Sequence, residues 1–68
     1  MVRIQHPSGS FIHSLHIPSK SVTKCPEMFW ERSKSFETTA EAQKFLSRNL
    51  KKFKDLKGCK VVIVGLAG

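Results

Sequence analysis

Residues 38–58 read TTAEAQKFLSRNLKKFKDLKG, and this stretch decides the fold because it predicts a helix with a defined start and end. Thr38 and Glu41 have the spacing of a capping box. In this motif the Thr hydroxyl accepts a hydrogen bond from the backbone N–H of the third helical residue, and the Glu carboxylate accepts one from the backbone N–H of the cap residue. Gly58 suits the left-handed residue that ends many helices. Together these signals predict a helix over about residues 39–57.

The apolar residues of this stretch fall on one face of the predicted helix. At 100° per residue, a single stripe contains Phe45, Leu46, Leu50, Phe53 and Leu56. Because an amphipathic helix must bury its apolar face against a second layer, we expect this helix to pack on a sheet.

Four segments outside the helix are candidates for the strands of that sheet. Val2–Gln5 and Phe11–Ile17 alternate apolar and polar residues around a Pro-Ser-Gly-Ser cluster, which is typical of a β-hairpin. Met28–Arg32 is a third strand candidate, and the proline-bracketed residues 18–26 are interpreted as a linker. Cys59–Val64 is rich in β-branched residues, which is typical of a strand that is covered on both faces or central in its sheet.

These elements predict an α+β fold in a single small domain, residues 1–68. The sheet is expected to be small and mostly antiparallel, with about three to four strands in β-β-(β)-α-β order, and the amphipathic helix packs on it. In the second strand, alternation places Leu15 on the same face as Phe11. The predicted core consists of Phe45, Leu46, Leu50, Phe53, Val62, Val64, Leu15, Ile4 and Trp30.

Composition excludes several classes of protein. The 68 residues are 40% hydrophobic, with five Phe and one Trp, which argues against intrinsic disorder. No stretch approaches the roughly 18 apolar residues of a membrane span, and the N-terminus lacks the apolar run of a signal peptide. With two cysteines, Cys25 and Cys59, we expect free thiols in a reducing cytoplasm.

The charge of the chain is concentrated in one segment. Twelve Lys and Arg against five Asp and Glu give a net charge of +7. Seven of the basic residues lie between Lys44 and Lys60, where the only acid is Asp55, so this segment carries a net +6. Like charges three and four positions apart on a helix repel each other. The presence of these like charges despite their repulsion indicates a polyanionic partner.

We therefore predict a non-catalytic basic module that binds DNA or RNA, chiefly through phosphates. Lys20 and Lys24 can extend the basic surface from the loops, and an exposed Trp30 or Phe29 would stack on bases. Two alternatives stay open, a small regulator or inhibitor that docks on an acidic surface of a partner protein and an inert basic face; an edge strand also offers a route to a homodimer. The predicted nucleic-acid contacts are Lys44, Arg48, Lys51, Lys52, Lys54, Arg32 and Lys34.

No pattern in the chain predicts a metal site, a cofactor or catalysis. Zinc would need ligands in close pairs, and the available His13, His16, Cys25 and Cys59 do not supply them. No carboxylate pair or nucleophile elbow points to an enzyme. Val61–Gly68 resembles the opening of a P-loop but lacks its Gly-Lys-Ser/Thr and following helix, so we expect no nucleotide site.

The motif Phe36-x-Thr38-x-x-Glu41-Ala42-x-x-Phe45 resembles the strand-to-helix junction of the arm-binding domains of tyrosine recombinases. The resemblance implies a three-stranded sheet set against duplex DNA. The additional strand at 61–64 departs from that pattern. The prediction of nucleic-acid binding rests on the distribution of charge.

Overall fold

The computed structural model describes residues 1–64 as a four-stranded sheet with one α-helix and two short 3₁₀ helices. In chain order the elements are β1 (Val2–Gln5), β2 (Phe11–His16), β3 (Ser21–Cys25), η1 (Glu27–Arg32, 3₁₀), α1 (Thr39–Leu50), η2 (Lys54–Leu56, 3₁₀) and β4 (Lys60–Ile63). The strands pair antiparallel in the order β3-β2-β1-β4. This arrangement confirms the predicted α+β class. Residues 65–68 of the P-loop-like run lie outside the described residues.

The segment between η1 and α1 is held between β1 and β2, which pair only at Gln5 and Phe11. There the Lys34 N–H donates to the Ile12 carbonyl at 3.0 Å, while Phe36 exchanges two backbone hydrogen bonds with Val2, at 2.7 and 3.2 Å. These bonds bring the chain to the start of α1.

Helix α1 begins where the capping pattern predicts. The Glu41 N–H donates to the Thr38 hydroxyl at 3.2 Å, which satisfies one of the amides that the first helical turn leaves without a partner. The apolar face of α1 then meets the sheet through Ala42, which is fully buried.

The sheet is covered on both faces. On the α1 face, the hydrophobic core consists of Val2, Ile4, Ile12, Ala42, Phe53 and Leu56. On the opposite face, the buried Arg3 places its guanidinium 5.1 Å from the centroid of the Trp30 ring and donates to the Ser33 hydroxyl at 3.0 Å. Because Arg3 alternates with Val2 and Ile4 in β1, η1 and α1 lie on opposite sides of the sheet.

The predicted helix end at residue 57 is wrong, because α1 ends at Leu50. A helix over 39–57 would be about 28 Å long, whereas a six-residue strand spans only about 20 Å. The chain instead leaves the helix, and Phe53, with extended backbone, turns its side chain into the core. Gly58 does adopt a positive φ of 85°, but it follows η2 rather than α1.

The predicted third strand is also wrong. Met28–Arg32 lies in the 3₁₀ helix η1, which starts after Pro26, and the third strand is Ser21–Cys25 within the predicted linker. The β2–β3 turn is closed by a hydrogen bond from the Lys20 N–H to the Ile17 carbonyl at 3.2 Å. Prolines therefore bracket a strand and its turn here, which composition alone does not distinguish from a loop.

Two expectations about the strands need correction. A bulge at His13, which is skipped between the pairs Ile12–Lys24 and Ser14–Thr23, breaks the alternation of β2. Ile12 and Leu15 therefore share the α1 face, while Phe11 is buried outside that core cluster. Strand β4 lies at an edge of the sheet rather than in its centre, and its Ile63 is 76% exposed.

The predicted core is correct in part. Ile4 and Phe53 are buried, and Phe45, Leu46 and Leu15 pack against the core while half-buried. Three further residues, Trp30, Val62 and Val64, are half-buried. The prediction that Leu50 belongs to the core is wrong, since Leu50 is 41% exposed at the last position of α1. The buried hydrophobic residues that the prediction omitted are Val2, Phe11, Ile12, Cys25, Ala42 and Leu56.

Candidate nucleic-acid interface

The predicted basic residues of the helical stretch are exposed, but they do not lie on one straight helix. Lys44 and Arg48 project from α1 away from the buried Ala42. Lys51 and Lys52 lie in the turn after α1, and Lys54 begins η2. The end of α1 at residue 50 therefore converts a linear stripe of charge into a curved basic surface.

Four lysines converge on an open cleft of about 490 Å³ at the end of α1. We call it the lysine cleft, and it is lined by Lys20, Lys51, Lys52, Lys54 and Asp55. Lys20 comes from the β2–β3 turn, more than thirty positions away in the chain from the other lysines. The fold thus brings together two basic segments that the sequence separates.

Asp55 is the only acidic residue of the lysine cleft, and its carboxylate is engaged by other groups. Lys24 binds one carboxylate oxygen, and the Nε2 of His6 lies 3.2 Å from the other. The hydrogen bond from Lys24 is the main cause that lowers the pKa of Asp55 below its ordinary value. Asp55 therefore ties β3 and the β1–β2 turn to η2.

Within residues 1–64, the Lys24–Asp55 ion pair and the His6–Asp55 contact both end on Asp55. Within that part of the chain, no acidic side chain forms an ion pair with Lys20, Lys51, Lys52 or Lys54. A solvated helix surface normally gains a few tenths of a kcal/mol from each mixed-sign pair. The lysine cleft has no such compensation and keeps its positive charge available for an external anion.

Asp55→Asn is expected to change how stability depends on pH. Because the pKa of Asp55 is lowered in the folded protein, its hydrogen bonds and its ion pair with Lys24 stabilise the fold above the unfolded pKa of about 3.9, and this contribution disappears as the pH falls through the folded pKa. The side chain is 41% exposed, so at neutral pH the variant should lose at most about 1 kcal/mol. Urea unfolding at about pH 7 and pH 3 should show a smaller difference between the two proteins at pH 3 than at pH 7. An equal difference at both values would contradict the contribution of the Asp55 carboxylate to stability.

Lys34 and Arg32, the two predicted nucleic-acid contacts outside the helical stretch, lie on different sides of the sheet. The ammonium of Lys34 lies 5.4 Å from the Phe45 ring centroid and 5.6 Å from that of Phe36, which places it beside α1. The guanidinium of Arg32 instead lies 5.2 Å from the Phe29 ring in η1. Lys34 thus adjoins the basic surface of α1, whereas Arg32 is carried away from it.

The aromatic residues predicted to stack on bases are also separated from the lysine cleft. Trp30 is half-buried under Arg3, and Phe29, although 45% exposed, belongs to η1 on the opposite face of the sheet. Next to it, Met28 is 76% exposed. The molecule therefore presents a basic surface on one side and a small apolar surface on the other.

The His and Cys side chains that are the candidate metal ligands are dispersed. Cys25 is buried, with its Sγ 3.7 Å from the Phe11 carbonyl, and the half-buried Cys59 has its pKa raised by burial. His16 bonds to the Ser19 hydroxyl at 2.6 Å. Within residues 1–64, no three His, Cys, Asp or Glu side chains are grouped to hold a metal ion. In the same range, no helix is long and apolar enough to cross a bilayer.

The predicted homodimer needs an edge strand, and β4 is one of the two edge strands of the described sheet, the other being β3. β4 pairs with β1 over four residues, from Val2–Ile63 to Gln5–Lys60, and lies last in the sheet order. Such an edge offers backbone groups to a second strand. Homodimerisation through this edge stays a prediction.

Comparison with known proteins found no match: no family model, curated protein or solved structure matches this chain. The recombinase-like motif forms the start of α1, where Phe36 is bonded to Val2. The proximity of Lys20 to the helical lysines is not evident from the sequence. Its signal was the Ile-Pro-Ser-Lys turn, which is recognisable only once residues 21–25 are identified as a strand.

Proposed function

We propose that this protein is a non-catalytic module that binds nucleic acid through phosphates. The binding surface consists of the exposed face of α1 and the lysine cleft, with contacts from Lys44, Arg48, Lys51, Lys52, Lys54, Lys20 and Lys34. Arg32, on the opposite face of the sheet, is not included.

The observation that carries this proposal is the uncompensated convergence of four lysines on one cleft. Lys20 and Lys52 reach it from two separate elements, and the one acid there, Asp55, is bound by Lys24 and His6. A backbone phosphate held in the cleft would offset the repulsion among the lysines and release counterions. Lys44 and Arg48 continue the positive surface along α1, in the manner of a protein that follows a phosphate backbone.

The arrangement favours recognition of the backbone over recognition of bases. Lysines supply mobile point charges rather than the planar bidentate donors that read guanine. The two aromatic side chains that could have stacked on bases, Trp30 and Phe29, lie on the other face of the sheet. We therefore expect little dependence on nucleotide sequence and a strong dependence on salt.

Fluorescence anisotropy of labelled duplex DNA, single-stranded DNA and RNA tests the proposal. At physiological salt we expect dissociation constants of about 1–100 µM, with tighter binding as salt is lowered and similar affinities for unrelated sequences. Absence of binding to all three ligands at low salt would contradict it.

A second candidate function is that of a small regulator that docks on a partner protein. The observation that favours it is the exposure of Met28 (76%) and Phe29 (45%) on η1, beside the guanidinium of Arg32. Exposed Met, aromatic and Arg side chains are enriched in protein interfaces. Such a contact would persist at moderate salt and would weaken in a Met28→Ser or Phe29→Ser variant.

A further inference from the structure

The turn between β2 and β3, residues Ile17–Lys20, combines features that a plain surface turn does not need. We call it the hairpin tip. Ile17, at its start, is 75% exposed, and Pro18 beside it is exposed as well. An isoleucine next to a proline gives the tip a short, stiff apolar end.

The backbone of the hairpin tip is also strained at a basic residue. Lys20 has a φ of 54°, the one positive φ of a non-glycine residue among residues 1–64. The left-handed region disfavours side chains with a Cβ, and glycine is the residue that occupies it at no steric cost. A lysine here costs stability, and its side chain lines the lysine cleft.

The hairpin tip lies beside the end of α1. Ile17 and Lys20 line a small cavity of about 100 Å³ together with Asn49, Lys52 and Phe53. Phe53 is buried and Asn49 caps the last turn through a hydrogen bond from its amide to the Phe45 carbonyl at 2.8 Å. The hairpin tip and the lysine cleft therefore adjoin each other, since Lys20 and Lys52 line both cavities.

We propose that the hairpin tip enters the minor groove of duplex DNA and inserts Ile17 between base pairs, while the lysine cleft binds the adjoining backbone. This inference rests on the proposed function and names its ligand and its mode of binding. Apolar side chains such as Ile and Pro act as wedges in the minor groove, where they unstack a base step and kink the duplex. Lysines beside the wedge neutralise the phosphates that flank the minor groove.

Duplex DNA fits this surface better than single strands do. Proteins that bind single strands combine a basic groove with aromatic platforms, and the lysine cleft has none within the described residues: Phe53 at its margin is buried and the exposed Phe29 lies on the other face. The minor groove of A-form RNA is wide, shallow and lined with 2′-hydroxyls, so it encloses an apolar wedge poorly.

The test compares two isoleucines of equal exposure. Ile17→Ser alters the hairpin tip, and Ile63→Ser, at a residue that is 76% exposed in β4, is the matched control. The readout is the end-to-end distance of a doubly labelled duplex, measured by fluorescence energy transfer with and without protein. We expect the wild type and Ile63→Ser to shorten this distance, and Ile17→Ser to bind without shortening it.

A second variant removes both the backbone strain and the charge of Lys20, and two measurements distinguish the two effects. Lys20→Gly removes the Cβ from the positive-φ position, so its melting temperature should be unchanged or higher, while its affinity for duplex DNA should fall. Affinity that does not change would remove Lys20 from the binding surface and overturn this part of the inference.

The possible failures can be told apart. If the wild type binds duplex DNA but does not shorten it, or if Ile17→Ser shortens it as the wild type does, the wedge is refuted and the proposed function stands. If the wild type binds no nucleic acid at low salt, the proposed function itself fails, and the inference with it.

Discussion

Leu56→Ala is expected to unfold most of the protein at room temperature. Leu56 is fully buried in η2 and packs in the core formed by β1, β2 and α1. Removal of a buried Leu side chain costs about 2–5 kcal/mol. A domain of this size rarely has more than about 3–5 kcal/mol of total stability. The substitution therefore removes most or all of the free energy of unfolding.

Leu50→Ala is the matched control for this prediction. Leu50 and Leu56 lie on the same stripe of the helix predicted from sequence, but in the structure Leu50 is 41% exposed and ends α1. Replacing it should change the free energy of unfolding by less than about 0.5 kcal/mol. Urea unfolding followed by circular dichroism measures both variants. Equal losses would contradict the end of α1 at residue 50 and support the longer helix.

Loss of nucleic-acid binding is the second large effect that we expect, in the double variant Lys51→Gln/Lys52→Gln. Both lysines line the lysine cleft and form no ion pair within residues 1–64. If each neutralises one phosphate, their removal should weaken binding about tenfold or more at low salt. Both are exposed, so the melting temperature should not fall.

The control variant for this experiment is Arg32→Gln/Lys60→Gln, which has the same net charge. Arg32 lies in η1, and Lys60 is opposite Gln5 at the sheet edge, so neither lines the lysine cleft. Its affinity should remain close to that of the wild type. Equal losses in both double variants would mean that only the total charge matters, and would refute a localised binding surface.

The sequence predicts the fold where a local interaction decides the outcome. The Thr38 hydroxyl and the Glu41 amide are close in the chain, and so is the hairpin around the Pro7–Ser10 cluster. The end of α1 was not predictable in this way. Phe53 and Leu56 fit the helical stripe, and only the short extent of the sheet shows that they must reach the core by another path.

The candidate site was predictable in composition but not in shape. The cluster of positive charge between Lys44 and Lys60 is evident in the sequence, and Lys20 is expected to extend it, but the position of Lys20 beside Lys52 depends on β3 and its turn. The exclusion of Arg32 from the binding surface likewise depends on η1, which places Arg32 beside Phe29 on the face of the sheet opposite α1. Both depend on contacts between residues that are distant in the chain.

The most direct test of the central claim is the slope of the logarithm of the association constant for duplex DNA against the logarithm of salt concentration. If the lysine cleft and α1 neutralise about five phosphates, the slope should be about −4 to −5. In Lys51→Gln/Lys52→Gln it should become shallower by about 2, while Arg32→Gln/Lys60→Gln should keep the wild-type value. A wild-type slope near zero, or one that the two double variants reduce equally, would contradict phosphate binding by this surface.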